Sequence, residues 1–395
     1  MPNRTSPGIS WLVVGCLGIT GATTTARGGY TATPAGSLGG LVTQGYALND
    51  RGTVVGASHA AQGGPGLPFM ADGQTTYNPS PDWVRGGIEL GISNTGHLAG
   101  VVSSNLRGMP IATLDGSPIL GLGLTSQATG VNDDGLVVGR MMDPVLGAGS
   151  FEARSQAGPG GLSFVQTATL HDALSGDRLA GSATGVNDAG QVVGNLFDGH
   201  AFLFNPGGTG LGAGSVVDLG AAPALRDGTS QAVAINASGQ VVGTYSAGVT
   251  AGGFLFDSGS VTILPFTPAG INALGQVVGT AVDPARAALG LLLFDSRTGA
   301  TTDLAVPDLG AGFRFVGAAG INAGGQILVN GTRADPASPA GFDEEAFLLT
   351  PTPDSAPAVG TSAAVPEPAG ATLIVVGGLG LLAARGFGRV RTRRP

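Results

Sequence analysis

The sequence predicts an all-β fold, a β-propeller of about seven four-stranded blades, and three observations carry that expectation. A ten-residue phrase recurs seven times, at intervals typical of propeller blades. Short apolar runs rich in Val, Leu and Phe follow most copies. Glycine, at 72 of 395 residues, is mixed with 42% hydrophobic and only 11% charged residues. That balance suits short strands joined by tight turns and is the reverse of a disordered chain.

The phrase first appears as Ala47-Leu48-Asn49-Asp50-Arg51-Gly52-Thr53-Val54-Val55-Gly56. Clear copies centre on Asn132 and Gly135, Asn187 and Gly190, Asn236 and Gly239, and Asn272 and Gly275. Two are degenerate: Ser93 replaces Asn before Gly96, and Asn322 with Gly325 leads to Val329 where the last glycine belongs. The anchors are separated by 44, 39, 55, 49, 36 and 50 residues, which implies a constant core with loop insertions. Asn, two residues, then Gly is a tight-turn signal: the Asn side chain bonds its own backbone, and Gly accepts the left-handed conformation. The turn therefore joins a strand ending at Asn to a strand carrying Val-Val.

A second strand signal follows, as in Gly199-His200-Ala201-Phe202-Leu203-Phe204 and Gly253-Phe254-Leu255-Phe256. A third comes after another Gly-containing turn, as in Val216-Val217-Asp218-Leu219 and Thr302-Asp303-Leu304. With the strand leading into the next Asn, each unit holds about four antiparallel strands, one propeller blade. A parallel β-helix is the competing architecture, but its coils are shorter and more regular. The repeat domain is expected over 27–349.

The ends read as targeting segments. Residues 1–26 have a short n-region with Arg4, an apolar stretch from Ile9 to Ile19, and small residues ending Thr24-Thr25-Ala26, the order of a secretory signal peptide. A lipoprotein signal with Cys16 acylated competes for the same stretch. Residues 350–364 form a Pro/Ser/Thr-rich linker. Pro366-Glu367-Pro368 then precedes an apolar run over 369–384, expected to form a short transmembrane helix of roughly 24 Å. Arg385, Arg389, Arg391, Arg393 and Arg394 follow it and are expected to stay cytoplasmic as a membrane stop.

Val-Pro-Glu-Pro, a Gly-rich hydrophobic helix and an arginine cluster together resemble the PEP-CTERM sorting signal. That resemblance implies an exosortase-type sorting enzyme as partner, the inner membrane as a transient anchor, and a destination on the surface of a Gram-negative cell or outside it. The family's frequent association with exopolysaccharide loci makes exopolysaccharide a further expected partner. Over roughly 40–350 the units resemble HAF repeats, with His200-Ala201-Phe202 matching the motif outright and Ala346-Phe347 in part. This second resemblance implies an extracellular repeat architecture and no particular reaction.

Charge excludes one class of partner. All 18 basic residues are Arg, and 27–366 holds 12 of them against 25 acidic residues, a net of −13. Such a body repels nucleic acid, whose affinity depends on neutralising phosphates. The only cysteine, Cys16, lies in the signal, so core burial must hold the mature domain.

Signatures of chemistry are sparse. The chain has no nucleophile elbow, zinc-binding His pair, phosphate loop or Cys pair at redox spacing, and no cofactor or metal is expected. Gly378, Gly380 and Ala383 match a dinucleotide fingerprint, but they lie in the apolar tail without the strand that motif requires. The four histidines, His59, His97, His171 and His200, are widely spaced. Asp133-Asp134 in a repeat turn and Asp343-Glu344-Glu345 ahead of the last Phe-Leu strand could ligate calcium, though a solvated turn explains each. The loop 76–85, with Tyr77, Asp82 and Trp83, is the candidate ligand loop, since sugars stack on exposed aromatic faces. These readings give an exported, non-enzymatic surface or matrix protein that binds polysaccharide or another surface protein. The alternative is an extracellular glycan hydrolase or lyase using carboxylates gathered on one propeller face.

Overall fold

A computed structural model describes residues 29–352, apart from 60–65, 80–85, 104–108, 146, 158–162, 209–210, 284–287, 305–308, 337 and 339. Both targeting segments, with Cys16, Pro366, Glu367, Pro368 and the five terminal arginines, lie outside the described residues, as do Asp82 and Trp83. The described residues form seven antiparallel sheets and contain no helix long and apolar enough to cross a membrane.

Each sheet is one blade of a seven-bladed propeller. Blades 1 to 6 span 43–77, 87–118, 125–169, 181–218, 229–264 and 267–304, with strands in chain order from the axis outward. A short extra strand, His171–Asp172, runs parallel to the outer strand of blade 4. Blade 7 is composite. Its three inner strands lie within 313–351, and its outer strand is Tyr30–Pro34 from the other end of the chain. Main-chain pairing from Tyr30↔Pro351 to Pro34↔Phe347 closes the ring, and Thr352 N–H adds a bond to the Gly29 carbonyl. The sequence predicted seven units with four strands each. It did not show that the seventh borrows its last strand.

Every inner strand runs toward its Asn-x-x-Gly turn, so all seven of these turns share one face, here the turn face. The opposite crossover face carries the hairpins between second and third strands and the passages from one blade to the next. Gly52, Gly135, Gly190, Gly239, Gly275 and Gly325 all have φ between 71° and 80°, which favours glycine strongly. The glycine ending Val-Val-Gly has a different cause. At Gly243 a Cβ would overlap both the Gln231 carbonyl oxygen and the Phe254 ring. Gly243 pairs with Phe254 across the sheet, and the inner strand bulges between Ala232 and Ala234. Gly56 with Phe69, Gly139 with Phe151 and Gly194 with Phe202 repeat the arrangement. In blades 1, 3, 4 and 5 the glycine and the aromatic residue of the third strand are thus one packing unit.

Apolar residues from adjacent blades fill the seams between them. Leu136 and Val138 of blade 3 pack with Ala183, Val186, Val192, Phe202 and Phe204 of blade 4. Phe69, Phe151, Phe202 and Phe254 are fully buried. Full burial of such a side chain contributes up to about 3 kcal/mol, enough to replace disulfides as the source of cohesion.

Candidate functional site

The repeat asparagines are fully or almost fully buried, and each does more than shape its turn. Asn236 Oδ1 accepts from Ser238 N–H at 3.1 Å and Gln240 N–H at 3.0 Å, the self-bonding expected of a turn residue. Its Nδ2 donates to Gln240 Oε1 at 2.7 Å and to the Asn272 carbonyl of the next blade at 3.0 Å. The same bond to the next blade runs from Asn132 to Asn187, Asn187 to Asn236, Asn272 to Asn322, Asn322 to Asn49, and Asn49 to Ser93. These side chains buckle the ring blade to blade. Ser93, too short to continue, hands the junction to its neighbours: Asn94 N–H and Thr95 Oγ1 donate to Asp133.

Beside this buckle runs a ladder of acceptors. Ala323 N–H donates to Asp50, Asp50 N–H to Asn94, Asn94 N–H to Asp133, and Asp133 N–H to Asp188, over 2.6–2.9 Å. Carboxylates from blades 1, 3 and 4 therefore converge on the turn face. Burial, followed by the charges of Asp133, Asp134 and Asp50, pushes Asp188 up to about 6, against an opposing bond from Asp133 N–H. Its Oδ2 is buried without a partner. This was hidden in the sequence because Asp188 looks like an ordinary turn residue, and only ring closure sets it against the other acids. Asp133-Asp134 lies in its turn as expected, although Asp133 is an interblade acceptor. No group of three or more His, Cys, Asp or Glu among the described residues is arranged to hold a metal ion.

The crossover face holds a cleft of about 430 Å³ at the seam of blades 7 and 1. One wall is Asp343 to Phe347, another is the passage from Pro34 to Thr43, and Arg333 closes one end. The sequence placed Asp343-Glu344-Glu345 ahead of the last strand. They lie inside it, in Phe342–Pro351, because the second and third strands of blade 7 stay paired as far as Ala334 and Phe342.

Partners divide the three acids. Arg333 grips Glu345 through Nε and Nη2, both at 2.8 Å, and also donates to the carbonyls of Leu309 and Ala311. Glu344 accepts from Gln44 Nε2, and Tyr46 Oη donates to Gln44 Oε1 at 2.6 Å. Burial, with the Glu344 charge behind it, pushes the Tyr46 phenol up to about 12, so it stays a donor. Asp343 Oδ1 is buried without a partner. Asp343 lines the cleft beside Glu344 and Glu345.

The other expected residues have structural settings. Tyr77 is exposed on the short outer strand of blade 1, its hydroxyl 3.9 Å from Met70 Sδ. His200 stands at a strand start and its Nδ1 meets Asp218 at 3.0 Å, a bond that raises its pKa. His97 pairs with Asp115 at 2.9 Å on the turn face.

No protein-family model and no curated protein matches the chain. Several solved propellers are similar in fold. An oligogalacturonate lyase in complex with manganese aligns over 85% of this chain and 96% of its own, at 14% identity and a TM-score of 0.48. A subtype N11 neuraminidase-like protein of A/flat-faced bat/Peru/033/2010 (H18N11) aligns over 86% and 97%, at 8% identity and a TM-score of 0.39. A gluconolactonase from Xanthomonas campestris covers 66% of this chain and 85% of its own, at 12% identity and a TM-score of 0.27. Two of these are named as enzymes, but at such identities the likeness concerns the fold and carries nothing about chemistry.

Proposed function

We propose that this is an exported surface or matrix protein whose propeller is a non-catalytic binding module, with the cleft between blades 7 and 1 as its ligand site. The observation that carries this reading is the unpartnered, buried Asp343 Oδ1 in a cleft of about 430 Å³. A buried acceptor without a donor costs roughly 1–3 kcal/mol, which a ligand hydroxyl or amine would recover once the Asp343 side chain turns that oxygen into the cleft. Asp343, Glu344 and Glu345 outnumber the one guanidinium of Arg333, so the cleft favours a neutral or amine-bearing glycan over a uronate or another anion. A surface protein offering a donor side chain meets the same chemistry. Binding is favoured over catalysis here because the three acids sit on one strand, and two of them are held by Arg333 and Gln44. The sorting tail and secretion signal supply the address, with an exosortase-type enzyme and the inner membrane as the partners of export.

One observation favours a second reading, a glycan hydrolase or lyase. Asp188 is pushed up to about 6 among carboxylates drawn from other blades, the setting of a general acid or base. The experiment that separates the two incubates purified 28–353 with a panel of neutral, amino and acidic polysaccharides, scoring both retention and release of reducing ends or unsaturated products. Retention without product, lost in Asp343→Asn, supports the binding module. Product release abolished by Asp188→Asn replaces it with the enzyme.

A further inference from the structure

The two faces differ in what their hairpins expose. Turns between third and fourth strands, on the turn face, are polar: Asp72-Gly73-Gln74-Thr75, Asp115-Gly116 and Asp257-Ser258-Gly259. Hairpins on the crossover face carry bulky apolar tips over one half of the ring. Val145 of blade 3 is 88% exposed, Phe197 of blade 4 is 67% and Val249 of blade 5 is 98%. Leu120, on the passage from blade 2 to blade 3, is 76% exposed. Isolated surface apolar residues are ordinary. A tip on each of three consecutive hairpins, all on one face, is a pattern. In a seven-membered ring, blade 4 lies opposite the 7/1 seam, so this apolar arc is across the face from the cleft.

We propose that the crossover-face rim of blades 3 to 5 docks on the uncharged surface of a zwitterionic lipid bilayer, leaving the cleft at the 7/1 seam accessible. The form of the arc selects the occupant. Its tips belong to separate hairpins, so a close-packed protein surface would gain little from them, whereas a headgroup layer admits each side chain separately. The neighbouring charges set the lipid class. Asp143 caps its turn by accepting from Val145 N–H, Asp198 follows Phe197, and Asp227 lies on the passage into blade 5, with Arg178 and Arg226 among them. That mixture gives no basic patch for an anionic surface. The length of chain beyond Thr352 agrees: only sixteen residues separate it from the apolar run over 369–384, a contour of at most about 60 Å, so the expected membrane segment keeps the ring near a bilayer.

The test uses 28–353, which contains all seven blades and both partners of the ring closure, so tail and signal play no part. Flotation with phosphatidylcholine vesicles is measured for the parent ring, for the triple variant Val145→Ser/Phe197→Ser/Val249→Ser, and for a control, Val217→Ser/Ile263→Ser, altering exposed apolar residues on outer strands. The parent and control are expected to float. The triple variant is expected to partition about tenfold less, with unchanged melting and unchanged retention of any cleft ligand. A parent ring that stays unbound overturns the proposal, as does a triple variant that floats equally well. Tighter binding to phosphatidylglycerol vesicles at low salt overturns the choice of an uncharged surface. Tip-dependent self-association without flotation assigns the arc to a second copy of the chain. None of these results touches the cleft, whose function stands or falls on the Asp343→Asn comparison.

Discussion

Replacing Asn236 with alanine is the sharpest perturbation of the buckle that holds the blades together. The side chain is fully buried and makes four hydrogen bonds, two as acceptor within its own turn and two as donor, one of them to the next blade. At about 1 kcal/mol net per bond the loss is ~4 kcal/mol, reduced where water reaches the turn face and increased for the Asn272 carbonyl and Gln240 N–H left behind. Blade 2 carries a natural comparison. Ser93 keeps bonds within its turn, accepting from His97 N–H at 3.0 Å and meeting Thr95 Oγ1 at 2.9 Å, but has no amide to send onward. Asn236→Ser should therefore cost about 2 kcal/mol, and Ser93→Asn, which restores a donor toward blade 3, should gain about 1 kcal/mol. Urea unfolding of 28–353, followed by circular dichroism and by Trp83 fluorescence, gives the midpoints, with coincidence of the two probes checking cooperativity. Equal stability of Asn236→Ala and the parent within 1 kcal/mol would refute the buckle. Equal loss in the serine and alanine variants would refute its division into turn and interblade parts.

Other outcomes follow from the same geometry. Gly243→Ala forces a methyl group against the Gln231 carbonyl and the Phe254 ring, and should cost at least about 3 kcal/mol in the same urea assay, as overpacking in a rigid sheet does. Asp188, raised in the folded ring, contributes stability that is fully present below its unfolded value near 3.8 and is lost as pH rises through about 6. Half-exposure cuts the nominal effect to about 1 kcal/mol, so melting should rise by ~1–2 °C from pH 7.5 to 5. His200, also raised, works in the same direction, so the assignment rests on Asp188→Asn losing most of the increment. Asp343→Asn should weaken retention of an amine-bearing glycan by about tenfold while leaving melting unchanged. Removal of 365–395 should move the protein from the cell surface to the medium, scored by fractionation of expressing cells.

Much of the ring was legible because its turns demand particular residues. Asn and Gly at fixed spacing marked six of the seven inner turns, and Val-Val with Phe-Leu-Phe marked the second and third strands. What periodicity could not reveal is any contact whose partner lies a whole blade away. The amide of Asn49 reaches Ser93, 44 residues on, and that of Asn322 reaches Asn49 across 273. A repeat asparagine looks the same whether it serves its own turn or the next blade too. Tyr30–Pro34 carries no part of the phrase, since main-chain pairing fixes this outer strand and only Tyr30 and Ala32 pack against the core. The cleft was invisible for the same reason: Asp343 and the passage from Pro34 to Thr43 meet only after closure.

The division between the two faces follows from where the repeat spends its polar groups. On the turn face the Asn side chains and the Asp50-Asn94-Asp133-Asp188 ladder are committed to neighbouring blades, so substitutions there are felt around the ring. Crossover-face hairpins join strands already paired within one blade, and the exposed side chains at their tips carry little of that burden. Their residues are free to vary, and they have: valine, phenylalanine and valine at three successive tips, acids and a held arginine at the cleft. Loops tied to a rigid scaffold but not needed by it are where recognition accumulates. The enzyme reading asks the opposite, that the most committed carboxylates also perform proton transfer. Asp188 alone among them keeps a buried oxygen free for that work. Its pH titration, followed in the parent and in Asp133→Asn, therefore bears on both readings. Should Asp133→Asn return Asp188 toward the ordinary carboxylate range without loosening the ring, the ladder is a charge cluster available for chemistry; should the ring loosen with it, the ladder is structural and function belongs to the crossover face.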